Sequence, residues 1–209
     1  MKAFSVMGRT LKSTYEELFL VIVISLLWWV GLLLIVTSPL ATMGVQTVAN
    51  RIANYKRVNQ SFFWEGARTQ TARGVALFLL WLLVPPIMWF SIQFYLDRQG
   101  WLALLGIVLA WAMLITLMAG QYMYALLLQQ SEPSLKLTLR NAVVLAFRHP
   151  LFSVLMLLFQ LALTAVSVML VIPVVILLPG MLAIAQNQAL IALLQNMGLA
   201  PQPPVMSGT

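Results

Sequence analysis

Leu18 to Thr37 is a run of 20 residues without a single charge. A helix of that length matches the hydrocarbon core of a bilayer, about 30 Å. Apolar stretches follow at Gly74 to Leu96, Trp101 to Gln129, Leu151 to Ile172 and Met181 to Asn196. In lipid every backbone donor and acceptor must find a partner within the protein, so such runs must be helical. The expected class is all-α, a polytopic membrane helical bundle. Composition agrees: 62% of the residues are hydrophobic and 8% charged, against about a quarter charged in soluble domains. One membrane domain is expected over residues 1–198, with a loosely held tail at 199–209. Lys2, Arg9 and Lys12 precede the first run, as in a signal peptide. The run outlasts a signal core of about 7–15 residues, so an uncleaved first span is expected.

The stretch from Pro39 to Arg57 decides the topology. Val45, Val48, Ile52 and Tyr55 form an apolar stripe, and Thr42, Gln46, Asn50 and Asn54 a polar one. That pattern suits a helix lying on the surface. It also suits a span whose amides face other helices. From Leu40 to Arg57 is 18 residues, about 27 Å of helix. If it crosses, with the N-terminus cytoplasmic, eleven of the twelve Lys and Arg fall on the cytoplasmic side and only Arg98 lies outside. If it lies on the surface the best split is eight to four. The positive-inside rule favours crossing. The expectation is six transmembrane helices as three hairpins, both termini cytoplasmic, in the plasma membrane, with interfacial amphipathic helices between them. Ser38-Pro39 is expected to make an outer turn, and Pro85-Pro86 to interrupt and kink its span.

Two connectors carry aromatic and basic residues, as headgroup-level segments do. Phe62, Phe63, Trp64, Arg68 and Arg73 lie in the first, and Arg140 and Arg148 in the second. They are candidate contacts for a partner or for lipid. Phe4, Met7, Leu11 and Tyr15 share a face of an N-terminal helix, expected at the interface. The chain also reads as three repeats, each with a basic, aromatic segment before a hairpin and a glutamine in the return helix: Gln46, Gln121, and Gln186 with Gln188. Equivalent amides in equivalent helices could meet at one centre. Gln46, Asn50, Gln121, Gln186 and Gln188 are the candidate bundle-centre polar residues. Asn54, Gln93, Gln160 and Asn187 complete the amides expected at membrane depth.

Leu26-Leu27-Trp28-Trp29, then Ile35-Val36-Thr37-Ser38-Pro39-Leu40-Ala41-Thr42, resembles the opening of the YesL-like family of bacterial membrane proteins. The segment Ser61 to Arg73 and the stretch from Leu139-Arg140-Asn141-Ala142 to His149-Pro150 are similar as well. The resemblance covers roughly residues 4–196. The proline falls one place early and a glycine is missing. What it implies is a helical membrane protein associated with carbohydrate uptake, with an ABC-type permease as a conceivable partner. It implies no set of functional residues.

Several chemistries lack their residues. The chain has no cysteine and one histidine, His149, too few for a thiolate, haem or multi-histidine metal site. The expected spans hold no ionisable residue in their interiors, which ion-coupled transport usually requires. No phosphate-binding loop, nucleophile elbow or paired carboxylate is present. No catalytic residue, metal or cofactor is expected. A net charge of +7 lies at span ends, where orientation and lipid headgroups account for it, so no nucleic-acid partner is expected. Two functions stay open: a non-enzymatic accessory or assembly subunit bound to another membrane complex, and a small carrier or lipid-binding protein with a neutral, amide-lined cavity.

Overall fold

A computed structural model describes residues 2–69, 71–98 and 100–200. Among them all regular structure is helical: α1 (Lys2–Glu16), α2 (Leu18–Leu33), α3 (Ser38–Ala53), α4 (Ser61–Arg68), α5 (Thr71–Leu96), α6 (Trp101–Gln129), α7 (Leu135–Arg148), α8 (Pro150–Leu170), α9 (Ile172–Ile176) and α10 (Leu178–Asn196). Most of the expected tail, 201–209, lies outside the described residues. Three helices, α5, α6 and α8, are long and apolar enough to cross a membrane. A fourth crossing follows if α1 and α2, which meet at 90°, count as one broken span.

Prolines place several helix starts. Pro39, Pro150, Pro173 and Pro179 each sit in the first turn of a helix, where the missing N–H has no helical partner to lose. This corrects the expected turn at Ser38-Pro39: those residues open α3, and the turn is Leu34–Thr37, with Ile35 in the left-handed region at φ 51°. Likewise α10 starts at Leu178, before the expected Met181. Pro85 and Pro86 do not interrupt their helix; α5 continues through both. They cost the carbonyls of Trp81 and Leu82 their usual donors, and the turns on either side carry the helix on.

α3 and α10 form the centre. Neither is among the most apolar helices, yet most of their residues are buried. One cluster gathers Val21, Ile24, Val45, Val48, Phe63 and Ile184 around α3. A larger one gathers Met43, Leu77, Tyr122, Leu127, Met156 and Leu190 around α6 and α10. By contrast, Leu82, Leu83, Ile87, Trp89, Phe90, Trp101, Leu104, Val108 and Trp111 in the far halves of α5 and α6 are exposed. In a membrane protein such a surface meets lipid.

The short amphipathic helices follow one rule. Each packs on the longer helix just before it: α4 on α3, and α7 on α6. α1 packs on α10, so the helices close into a ring. Its buried face is Ala3, Val6, Thr10 and Thr14; Phe4, Leu11 and Tyr15 face outward. The reversal before α4 is built at the end of α3. Tyr55 adopts φ 56°, and the N–H groups of Tyr55 and Lys56 donate to Ile52 O and Arg51 O, both at 3.0 Å. This is the double bond of a Schellman motif, with tyrosine in the usual glycine place. The Tyr55 hydroxyl accepts from Arg9 at 2.9 Å.

A candidate ligand cleft on a chain of amides

A glutamine or asparagine in an apolar helix must find partners for both ends of its amide, or the unpaired group costs several kcal/mol, roughly, in hydrocarbon. Here they find one another. Asn54 Nδ2 donates to Asn50 Oδ1 (3.3 Å), Asn50 to Asn187 (3.0 Å), Asn187 to Gln46 (2.7 Å) and Gln46 to Gln186 (2.8 Å). Gln186 then donates to Gln160 (3.3 Å) and Gln160 to Gln121 (2.9 Å). The chain ends where Gln121 Nε2 donates to the carbonyls of Met118 and Ser153, both at 3.0 Å. Every amide accepts from the one before and donates to the one after, so the chain runs in one direction from α3 through α10 and α8 to α6.

Of the candidate centre residues, Gln46, Asn50, Gln121 and Gln186 thus share one network. Gln188 is buried on another face of α10: it accepts from Thr10 Oγ1 at 3.1 Å and donates to Ser13 Oγ at 2.9 Å, tying α10 to α1. Gln93 is exposed and takes no part. Gln160 of α8, expected as an amide at membrane depth but not among the centre residues, joins Gln186 to Gln121. Asn187, likewise expected at membrane depth and fully buried, links Asn50 to Gln46. The signal for both was present: an amide in an apolar helix next to, or one helix away from, another amide.

Where Gln46 and Gln186 meet, they line a partly open cleft of about 370 Å³ between α2, α3, α5, α6 and α10. Its volume falls in the range of small-molecule sites, about 300–1,000 Å³. Trp28, Trp29 and Trp81 supply aromatic wall, and Thr42 and Tyr124 hydroxyl-bearing wall. Two tryptophans are fixed by their indole N–H groups: Trp28 donates to Thr42 Oγ1 at 3.0 Å, and Trp29 to Val174 O at 3.2 Å. The two rings meet edge to face at 5.2 Å. Trp81 seats itself over Gly120, whose missing side chain leaves the ring its space. The Tyr124 hydroxyl is buried with no partner. A buried donor is normally paired, so this one is an exception within the packing behind the cleft wall.

The connector residues separate. Phe63 is 3% exposed and packs on Gly44, where a Cβ would sit 2.8 Å from its ring and its carbonyl oxygen. It is core, which corrects its place among candidate contacts; the physical reason is that α4 folds back along α3. Phe62 is half-buried beneath the Arg51 guanidinium, 3.5 Å from ring centre to charge centre. Trp64, Arg68, Arg73, Arg140 and Arg148 are exposed, on α4, on α7 and at the start of α5. They do not form one patch: Arg68 borders a trough with Leu34 and Thr37, and Arg148 a pocket with His149 and Leu193.

The chain matches no protein-family model, no curated protein and no solved structure.

Proposed function

We propose that the chain is a non-enzymatic membrane protein that holds an uncharged, hydroxyl-bearing molecule, a sugar or a lipid headgroup, in the cleft between α2, α3, α5, α6 and α10. The observation that carries this reading is a cleft that presents the Gln46 and Gln186 amides between the faces of Trp28, Trp29 and Trp81. Each of those amides has spare capacity, since an amide offers two donors and two acceptor sites. Tryptophan faces suit the C–H surface of a sugar ring or an acyl chain, and no charged side chain lines the cleft. The association of YesL-like proteins with carbohydrate uptake points to the same class of ligand. The test uses the protein in lipid nanodiscs, titrated with an alkyl glucoside and followed by tryptophan fluorescence. Saturable quenching is expected, weakened about 3- to 10-fold by Gln186→Leu for the loss of one hydrogen bond from the cleft wall. Absence of saturable binding by the wild type sinks the proposal.

The second reading is an accessory subunit of another membrane complex, such as an ABC-type permease. Trp64 at 52% and Phe147 at 60% exposure favour it, since exposed aromatics beside arginine are common interface anchors. Its test is recovery of a stoichiometric partner in mild detergent that Trp64→Ala loses. Phe63 is unsuitable for that test because it holds α4 in place. For either reading we propose a plasma-membrane protein with six crossings and both termini cytoplasmic; the distribution of Lys and Arg supports it, with Arg68 drawn back along α3 beside Leu34 and Thr37.

A further inference from the structure

We infer that a second trough, between α2, α3 and α4, is a site for an anionic phospholipid, with one acyl chain between the helices and the headgroup phosphate on Arg68. The trough encloses about 310 Å³. Leu27, Val30 and Leu34 line it at three- and four-residue spacing, one stripe of α2. Its base is tight, because Gly31 of α2 lies directly against Ala41 of α3. Polarity gathers at the exposed edge, where Trp64 and Arg68 project from α4.

Charge selects the occupant. Among the described residues no acidic group lies within ion-pair distance of Arg68. A lone guanidinium at the edge of a hydrocarbon slot matches an anion that carries a hydrocarbon chain. Its forked donors fit phosphate oxygens in pairs. Tryptophan beside it is the residue of headgroup depth. A zwitterionic lipid offers the same phosphate with a cation attached, so it binds more weakly. An extended peptide would bring backbone groups that hydrocarbon walls cannot satisfy. The trough shares no lining residue with the cleft, so the two proposals stand or fall separately.

The test counts lipid bound to the purified full-length protein by native mass spectrometry in neutral detergent. One phosphatidylglycerol is expected to be retained about tenfold more tightly than phosphatidylcholine, the worth of a charge-assisted pair. Arg68→Gln, at an exposed position, is expected to abolish that preference, and Arg68→Lys to keep part of it. Val30→Trp fills the slot and lowers retention of both lipids; if it fails to melt cooperatively, Leu34→Trp replaces it. Unchanged selectivity in Arg68→Gln overturns the proposal. So does displacement of phosphatidylglycerol by inorganic phosphate at equal concentration, which marks a bare anion site, and so does full retention in the filled variant.

Discussion

Carbonyl oxygens set the direction of the amide chain. Gln121 faces the carbonyls of Met118 and Ser153, which can only accept, so its NH₂ group is committed there and its oxygen is left for Gln160. Gln160 and Asn187 are held the same way by Met156 O and Ala183 O. A glutamate at any link would lose the donating end when ionised. Gln160→Leu strands the Gln186 donor and the Gln121 acceptor together. We expect it to cost about 1–3 kcal/mol, read as a lower midpoint of thermal unfolding in detergent. Gln93→Leu, at an exposed site outside the chain, should stay within about 0.5 kcal/mol. The need for these amides to be paired was legible in the sequence, because an unpaired amide in an apolar helix is too costly to leave. Which amide meets which was not legible: it depends on how α8 and α10 are rotated, and Gln160 belonged to a helix that the repeat did not mark. The Tyr124 hydroxyl carried no sequence signal at all, since orphan status is a property of its surroundings.

Helix positions were legible from uncharged runs, and their ends much less so. The turn at Leu34–Thr37 uses a left-handed isoleucine, a conformation that isoleucine rarely adopts and that no residue pattern announces. The doubling of α4 onto α3 depends on two glycines: Gly44 admits Phe63, and Gly66 admits Thr47. Glycine in a helix could equally have meant flexibility or a weak point, so the close approach could not be read ahead of the fold. The same device joins α5 to α6 at Gly120. There Gly120→Ala would place a methyl group inside the space of the Trp81 ring, and α5 and α6 must part or Trp81 must leave the cleft wall. We expect a loss of about 1–3 kcal/mol, the usual cost of overpacking. Trp81→Leu should absorb much of it, so the double variant loses less than the sum of the two single ones. Additive losses in detergent melting would show that the two sites are not in contact.

At the scale of the molecule the open question is what α3 does to the path of the chain. Its 16 residues span about 24 Å, and α4 returns alongside, so that Trp64 and Arg68 border the same trough as Leu34 and Thr37. Single cysteines in this cysteine-free protein decide it by labelling in whole cells with an impermeant thiol reagent. Val36, 84% exposed, is a better site than Ser38, which is buried. Six crossings require cysteines at Val36 and Gly100 to react from outside and those at Gln60 and Trp64 to react only after lysis. Reaction of Val36 and Trp64 from the same side would make α3 and α4 a hairpin that enters and leaves by one face. The ring of helices has its own consequence. Thr10 and Gln188 are bonded across 178 positions of sequence, and Ala3 borders the same pocket as Leu193 and Asn196. α1 therefore waits for α10, made much later, before its buried face is covered. α1 and α10 come together there, so the order of synthesis is one choice among several. A gene rearranged to begin at Ser61 or Leu135, with α10 linked on to α1, would encode the same contacts between helices and a different helix to do the waiting.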